Sequence, residues 1–388
     1  GIDPTQPIDP EAYRRLPVLT RQDVQKHGER LHARRLPEVF GSTLPVASGG
    51  STGMPVRVIK SALDRAIWEA MLLREDAWHF DGHRGDCCNI GPTSTQFDTV
   101  QARTPQGSVR PDWGAPIGVL FETGKFYNMD SALPLASQMA FLCQHDPEYL
   151  HTMPSVLNLL LHYAEETGMR PQRLRKVWLK SEMITTALRR RCEAVFGASI
   201  VANYSSAETG YVALQCTKGD GYHVSDETQL VEILDTDGRP VQEGEVGRVV
   251  VTPLHNFAMP LLRYEIGDWA ELGGSCSCGR CLTVLNNIVG RIPDDVVYPD
   301  GSRRRHSFHH YGLSEVRAVQ EFQLVQATLE RIELHVVASR ALTVAERETL
   351  MTLLKGAFSA EFEFEVIQID RIERTAAGKL RSFVSRVT

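Results

Sequence analysis

Residues 176–204, KVWLKSEMITTALRRRCEAVFGASIVANY, contain two short apolar runs on either side of an amphipathic segment. The runs Lys176–Leu179 and Ile200–Tyr204 have the length and composition of buried strands. Residues 185–196 between them have the apolar spacing of a helix. A strand, a helix and a second strand in this order indicate a βαβ unit with parallel strands, so we predict an α/β core.

Helical periodicity recurs on the N-terminal side of this unit. Ser61, followed by Asp64 three residues later, predicts a capped helix start. The helices predicted from the apolar spacing span 61–78, 131–144 and 154–167. Residues 81–114 are rich in Gly, Pro, Thr and Ser, and this composition predicts a loop.

The pattern changes on the C-terminal side. Two apolar runs, Leu230–Leu234 and Val246–Val251, flank an Asp-Gly turn and predict antiparallel strands. The residues that follow Arg291 have the composition of a linker. The remaining chain predicts strands at 319–325, 331–338 and 363–369 and a helix at 344–358. We therefore predict a large α/β domain with mixed sheets at 1–291 and a small, mobile α+β domain at 292–388.

The composition of the 388 residues, with a formal net charge of −6, is that of an ordinary globular protein. The acidic balance argues against a nucleic-acid binder, which would carry a basic surplus. No apolar run is long enough to cross a bilayer, and we expect no signal peptide. We expect a cytoplasmic monomer or homodimer that binds neither nucleic acid nor membrane.

A Gly/Ser-rich loop, ASGGSTGMP at 47–55, is the first candidate binding motif. Its glycines would let backbone N–H groups approach an anion, and its hydroxyls would donate to phosphate oxygens. The candidate ligands are Ser48, Gly49, Gly50, Ser51, Thr52 and Gly53. No Lys-Ser/Thr pair follows at the Walker spacing, and an ordinary surface turn has the same composition.

The second motif, YSSAE at 204–208, follows a predicted strand, where α/β sheets place ligand residues. The ring of Tyr204 can stack on a base. Glu208, beside the small hydroxyl residues Ser205 and Ser206, can hold Mg²⁺ over phosphates. A capped helix start with a solvated glutamate is the alternative for this segment.

The last two motifs lie nearer the C-terminus. Asp268, at the end of RYEIGD, can accept hydrogen bonds from both hydroxyls of a ribose, or it can be an ordinary turn residue. Lys379, in RTAAGKLR, lies on a glycine-containing loop and offers a mobile positive charge to an anionic transition state. A solvated basic tail is the alternative for the lysine segment.

In this order and spacing, the motifs resemble those of the adenylate-forming superfamily, in its phenylacetate–CoA ligase-like, CapK-like and coenzyme F390 synthetase-like branch. YSSAE resembles the Tyr-Gly-x-Thr-Glu motif of that superfamily, and RYEIGD resembles its Tyr-Arg-Thr-Gly-Asp motif. Gly290-Arg291, with Asp294 or Asp295, resembles its hinge. The chain departs from the pattern at Met54, where many members have lysine, in one extra hinge residue, and in a shortened N-terminal region.

The resemblance implies an acyl-adenylate synthetase fold and the activation of a carboxylic acid by ATP to acyl-AMP, with release of pyrophosphate. It implies Tyr204 on the adenine, Asp268 and Arg291 at the ribose, and Mg²⁺ at Glu208. Lys379 would stabilise the transition state as a catalytic residue, together with Glu208. The small domain would then rotate about one of the two hinge aspartates.

Coenzyme A is the implied acceptor of the acyl group. An amine or a carrier protein is the alternative acceptor, and a nucleotide-binding protein without turnover is a further alternative. The aromatic residues Phe121, Phe126 and Tyr127 suggest an aryl acid, although a stripe of core residues explains them equally well.

Four of the eight cysteines lie between residues 216 and 281. Cys276 and Cys278 form a Cys-x-Cys knuckle, and Cys216 and His223 complete a Cys₃His set, which is one of the common closed structural zinc sites. We predict a structural Zn²⁺ at these four residues, and a similar pattern in some family members supports it. Cys281 is an equal candidate for the fourth ligand, and inert buried thiols are the alternative.

Overall fold

The computed structural model describes residues 9–48, 55–79, 82, 84–92, 100–219, 221–291, 296–304, 313, 316, 318–358, 362–373 and 380–387. Within these ranges the α-helices are α1 (Pro10–Arg14), α2 (Arg21–His27), α3 (Ala62–His79), α4 (Ile117–Leu120), α5 (Leu135–His145), α6 (Pro154–Thr167), α7 (Thr186–Phe196) and α8 (Val344–Ala357). None of these helices has both the length and the apolar composition needed to span a membrane.

The strands of the same ranges are β1 (Thr43–Ala47), β2 (Arg57–Ser61), β3 (Cys87–Gly91), β4 (Ser108–Arg110), β5 (Phe126–Asp130), β6 (Tyr149–Thr152), β7 (Lys176–Leu179), β8 (Ser199–Ser206), β9 (Gly210–Gln215), β10 (Tyr222–Val224), β11 (Gln229–Leu234), β12 (Val246–Pro253), β13 (Tyr264–Leu272), β14 (Val284–Arg291), β15 (Val296–Val297), β16 (Arg303–Arg304), β17 (Val319–Gln326), β18 (Arg331–Ala338), β19 (Glu363–Gln368) and β20 (Phe383–Ser385).

The first of two compact units combines Gly1–Trp78 with Asn203–Arg291. Strands β1 and β2 form an antiparallel hairpin, and α3 follows β2 directly. Ser61 and Asp64 cap this helix by exchanging hydrogen bonds, as the sequence predicted. The second half of β8 and the strands β9 to β14 form an antiparallel sheet with the order β11-β12-β13-β14-β10-β9-β8.

The second unit combines His79–Ala202 with Ile292–Thr388. Its main sheet has the order β8-β7-β6-β3-β5-β4, with only β4 antiparallel to its neighbour among the described strands. The strands β7 and β8 are parallel, with α7 between them in the chain, so the predicted βαβ unit is confirmed. A continuous apolar core joins this sheet to α5, α6 and α7.

The C-terminal part of the second unit is an α+β module. Its sheet has the order β19-β18-β17-β20, and α8 begins at a capping box between Thr343 and Glu346. A separate apolar core includes Leu324, Leu334 and Leu350. The predicted strands and helix of this module are confirmed, and so is the fold class. The chain leaves the first unit at Arg291, whereas independent movement of 292–388 stays a prediction.

Two local predictions were wrong. Helix α5 begins at Leu135 and not at 131, because residues 131–133 form a turn after β5 and Pro134 disfavours the helical region for Leu133. The predicted loop at 81–114 contains β3, a strand that pairs with both β5 and β6. The antiparallel strands predicted on either side of the Asp-Gly turn are confirmed, since β11 pairs with β12, and Val241 pairs back onto Ile233 before β12 begins.

Candidate active site

The Gly/Ser-rich loop begins at the end of β1, where Ser48 is described and buried. The backbone N–H of Ser48 donates to the carbonyl of Val56, and the Val56 N–H donates to Ser48 Oγ at 2.9 Å. These two bonds close the base of the hairpin between β1 and β2. The two strands that flank the loop are therefore held together at its base. Gly49, Gly50, Ser51, Thr52 and Gly53 lie outside the described residues.

The second and third motifs meet in space. The hydroxyl of Tyr204, on β8, donates to Asp268 Oδ2, on β13, at 2.9 Å. Tyr204 is largely buried, and its ring is therefore held by a partner from the other motif. This contact joins the residue expected at the adenine to the residue expected at the ribose, although they are far apart in the sequence.

The hydroxyl residues of YSSAE stabilise the turn that carries Glu208. Ser206 Oγ accepts from the Thr209 backbone N–H at 3.0 Å, and Ser205 Oγ donates to Asn203 Oδ1 at 3.1 Å. The segment is a hairpin between β8 and β9, so the alternative of a capped helix start is wrong. Glu208 lies at its tip but is only 3% exposed, and it is therefore not a solvated glutamate.

Arg21 links the first motif to the second. Its guanidinium donates through Nη2 to Ser48 Oγ at 3.1 Å and lies with Nη1 3.4 Å from Glu208 Oε1. Sequence reasoning missed this residue. The only local signal was the capping box between Thr20 and Asp23, which starts α2 and places Arg21 at its first position. Arg21 supplies a positive charge where a phosphate loop would bring its ligand.

A second cation lies close to the same carboxylate. Burial lowers the pKa of Lys60, on β2, while the charges of Asp64 and Glu208 act in the opposite direction. Glu208 therefore interacts electrostatically with an arginine and a lysine, and Asp64 is a second carboxylate that acts on the lysine.

Glu75, on α3, is a buried acid that sequence reasoning also missed, and it is 2% exposed. Asn203 Nδ2 lies 3.1 Å from each of its carboxylate oxygens, and the Tyr211 hydroxyl donates to Oε2 at 3.3 Å. Burial, followed by the charge of Glu75, raises the pKa of Tyr211 well above its ordinary value. Glu75 thus anchors β8 immediately before Tyr204.

The aromatic residues proposed for the acid pocket have different surroundings. Tyr127 belongs to the apolar core, with its hydroxyl donating to Asp86 Oδ2 at 3.1 Å. The guanidinium carbon of Arg110 lies 4.4 Å from the centre of the Phe126 ring, and Phe121 is 44% exposed. Core packing accounts for Tyr127, and an aryl substrate stays a prediction.

The four predicted zinc ligands come together. The candidate ligand atoms of Cys216, His223, Cys276 and Cys278 all lie within 4.8 Å of one another. Cys216 follows β9 and His223 lies on β10, so the antiparallel pairing of these strands brings them together. Cys281 is exposed and does not belong to this group.

The distances in this cluster fit a tetrahedral zinc site. Thiolates at the usual Zn–S distance of about 2.3 Å lie about 3.8 Å apart in such a site. The Sγ atoms of Cys216 and Cys276 are 3.7 Å apart, far beyond a disulfide bond, and Cys278 Sγ lies 3.2 Å from His223 Nε2. A hydrogen bond from the Arg280 backbone N–H is the main cause that lowers the pKa of Cys278 to about 6, which favours its thiolate.

Trp78, on α3, packs against this cluster. Its ring lies edge-on to His223 at 6.0 Å between ring centres, and the Arg280 guanidinium lies 4.0 Å above the Trp78 ring. The cysteine-rich loop after β13 is therefore attached to the same helix that carries Glu75.

Comparison with known proteins shows which families the chain resembles. A model of the AMP-binding enzyme family matches residues 112–258, and a model of the CapK C-terminal domain matches residues 306–386. Phenylacetate-coenzyme A ligase of Thermus thermophilus is 29% identical over 212 residues, which are 52% of this chain and 48% of that protein. Protein CapK of Staphylococcus aureus is 21% identical over 384 residues, which are 96% of this chain and 80% of that protein. These matches support the resemblance to the adenylate-forming superfamily.

Solved structures of CoA ligases share the fold. A 2-hydroxyisobutyryl-CoA ligase in the postadenylation state, in complex with R3-HIB-AMP, gives a TM-score of 0.75 at 19% identity over 99% of this chain and 83% of that chain. An anthranilate CoA ligase in complex with anthranoyl-AMP gives 0.63 at 12% identity over 87% and 65% of the two chains. The chain spans about half the length of the phenylacetate-coenzyme A ligases that it matches, 48% and 55% for two of them.

Several residues expected in an adenylate-forming enzyme lie outside the described part of this chain. They are Lys379, the two hinge candidates Asp294 and Asp295, and the side chain of Arg291. The backbone of Arg291 is described and pairs with Asp268 across β13 and β14. The roles of all four residues therefore stay predictions.

Proposed function

We propose that this adenylate-forming chain activates a carboxylic acid with ATP to an acyl-AMP, releases pyrophosphate and transfers the acyl group to coenzyme A. The observation that carries the first step is the position of Arg21 between Ser48 and Glu208. It places a guanidinium at the base of the Gly/Ser-rich loop and beside the buried carboxylate. Such an arrangement serves a polyphosphate whose charge increases in the transition state.

The nucleoside would be recognised on the other side of the same hairpin. Tyr204 would stack on the adenine, and Asp268 would accept hydrogen bonds from the ribose hydroxyls. The hydrogen bond between them supports this assignment, because it fixes the ring relative to the carboxylate. Arg291 would assist Asp268 from the neighbouring strand β14, as their opposite positions in the sheet suggest.

Two metal ions belong to the proposal. Glu208 would hold Mg²⁺, since a single carboxylate completed by substrate phosphates is a usual ligand set, and the ion would neutralise phosphate charge. Cys216, His223, Cys276 and Cys278 would hold a structural Zn²⁺, whose chemistry is limited to fixing the fold because the protein provides all four ligands. Cys281 is not needed for this site.

The acid would attack the α-phosphorus while Lys379 and Arg21 stabilise the developing charge. The module at 292–388 would then rotate about Asp294 or Asp295 and withdraw Lys379. Coenzyme A is proposed as acceptor because three of the curated relatives are phenylacetate-coenzyme A ligases. Transfer to an amine or a carrier protein shares the first step and differs only in the second.

The test of this proposal follows both steps by mass spectrometry. The protein is incubated with ATP, Mg²⁺ and aryl, fatty or amino acids, and acyl-AMP is measured before and after coenzyme A is added. We expect an acyl-AMP with at least one acid class and its conversion to an acyl-CoA. If acyl-AMP is consumed only when an amine or a carrier protein replaces coenzyme A, that compound and not coenzyme A is the acceptor of the second step.

Replacing Arg21 by glutamine should lower kcat/KM for ATP roughly ten- to a hundredfold, because a charged hydrogen-bonding group contributes about 1.5–3 kcal/mol. ATP-dependent acyl-AMP formation is the measurement. Lys26→Gln, which removes an exposed charge from the same helix α2, is the matched control and should leave the rate unchanged. Equal rates for both variants would remove Arg21 from the proposed site.

A further inference from the structure

Arg263, the first residue of RYEIGD, is a buried cation that the proposed function does not use. It is only 4% exposed. Its guanidinium makes a two-pronged ion pair with Glu232 of β11, from Nε at 3.0 Å and from Nη2 at 3.2 Å. Arginine is rarely buried to this extent without such a partner. The ion pair uses Nε and Nη2 of Arg263, and Nη1 donates hydrogen bonds elsewhere.

The acceptors of these hydrogen bonds are in the backbone of the N-terminal segment. Arg263 Nη1 donates to the carbonyls of both Arg14 and Leu16, which lie at and just beyond the end of α1. The backbone N–H of Arg263 donates to Thr252 Oγ1 at 2.7 Å, and the same oxygen bonds to the Tyr13 hydroxyl at 2.6 Å. One residue thus ties the sheet to this segment through its side chain and its backbone.

The attachment continues along the chain towards Arg21. The Leu19 N–H donates to the carbonyl of Arg263, and the Glu265 N–H donates to the carbonyl of Leu19, each at 2.9 Å. These bonds seat Leu19 beside β13 as a short parallel bridge. The next residue, Thr20, caps α2 and fixes Arg21 at the start of that helix.

The backbone of Arg263 adopts a conformation that is unusual for a residue with a side chain. Its φ angle is +50°, in the left-handed region that a residue with a side chain enters at a cost of roughly 1–2 kcal/mol. This conformation coincides with the point where the Arg263 carbonyl meets the Leu19 N–H. Residues held in such conformations concentrate at functional sites, where the surrounding contacts maintain them.

We propose that Arg263 is a positioning residue, which clamps residues 14–19 to β13 and thereby delivers Arg21 to Ser48 and Glu208. Arg263 itself contacts no reacting group. The catalytic consequence rests on the proposed function, because it assumes that Arg21 acts on ATP, whereas the clamp rests on the contacts alone.

The experiment compares Arg263→Lys with wild type by hydrogen–deuterium exchange and by ATP kinetics. Lysine keeps the charge but loses the fork that serves Glu232 and the two carbonyls together. We expect faster amide exchange in residues 13–21, unchanged exchange in β11 to β14, and a loss in kcat/KM for ATP of roughly tenfold or more, the scale of a lost charged hydrogen bond. Arg248→Lys is the matched control, since Arg248 pairs with the Glu265 side chain and donates to the carbonyl of Asp235 in the same unit.

A merely structural role would give a different pattern. Faster exchange throughout the sheet, or exchange in residues 13–21 equal to that of Arg248→Lys, would overturn the clamp. If Arg263→Lys does not fold, the same exchange experiment is done with Glu232→Gln. Glutamine weakens the ion pair with Arg263 and keeps the shape of the glutamate side chain, so the clamp is tested by the same pattern of exchange. The double variant Arg21→Gln/Arg263→Lys should have the same kcat/KM for ATP as Arg21→Gln alone. A further loss as large as that of Arg263→Lys alone would contradict the claim that Arg263 acts by positioning Arg21.

The clamp and the proposed function are tested by different measurements, so either one can be contradicted without the other. Wild-type protein that forms no acyl-AMP with any acid would contradict the proposed function, while the exchange pattern in residues 13–21 would still decide whether Arg263 holds the segment.

Discussion

Replacing Lys379 by alanine should abolish acid-dependent ATP–pyrophosphate exchange, with a loss of roughly a hundred- to a thousandfold. The lysine would neutralise charge that develops on the α-phosphate, and such preorganised contacts contribute more to the transition state than to the ground state. Transfer of the acyl group from preformed acyl-AMP to coenzyme A should be largely spared, because the proposed rotation withdraws the lysine before that step.

The control for this substitution is Lys355→Ala, which removes an exposed lysine from α8 of the same module. It should leave both half-reactions at the wild-type rate. Unchanged exchange in Lys379→Ala would end the role assigned to Lys379. A loss of both half-reactions to the same extent would contradict the withdrawal of the lysine between the two steps.

Loss of Cys276, a ligand of the proposed zinc site, should destabilise the first compact unit severely. Structural zinc binds with an apparent free energy of about 10–16 kcal/mol in small domains, which matches the entire stability of about 5–15 kcal/mol of an ordinary domain. We expect about one equivalent of zinc in the native protein and a large fall in the melting temperature of Cys276→Ser. Elemental analysis and thermal unfolding are the measurements.

Cys281→Ser is the matched control, because Cys281 lies five residues from Cys276 but outside the cluster. It should keep both zinc and melting temperature. Removal of zinc by a chelator should also change the fluorescence of Trp78, because its ring packs on His223. The part of the change that is lost in Trp78→Phe is the signal of this residue. Less than about half an equivalent of metal in the native protein would count against a closed structural site.

The sequence was sufficient to predict elements with strong local signals. The apolar spacing of α6, α7 and α8 predicted these helices within one residue at each end. The strand β3 was missed because Cys87–Gly91 is short and lies between segments rich in glycine, so its composition resembled a loop. Its identity as a strand comes from pairing with β5 and β6, which no local pattern records.

The same distinction applies to the candidate site. Tyr204, Glu208 and Asp268 were found because their motifs have a recognisable order. Arg21 and Glu75 have no motif, and their meaning comes only from partners far away in the chain, Glu208 for Arg21 and Asn203 for Glu75. Arg263 was within a quoted motif, but its attachment to residues 14–16 depends on a long-range contact and on a positive φ angle. Local sequence predicts neither.

ATP–pyrophosphate exchange with a panel of aryl, fatty and amino acids decides whether the protein forms an acyl-adenylate. Exchange reports adenylate formation without any assumption about the acceptor. We expect exchange that depends on one class of acid and on Mg²⁺, and that falls in Arg21→Gln and disappears in Lys379→Ala. Binding of ATP without exchange for any acid in the panel would contradict this expectation and would favour a nucleotide-binding protein without turnover.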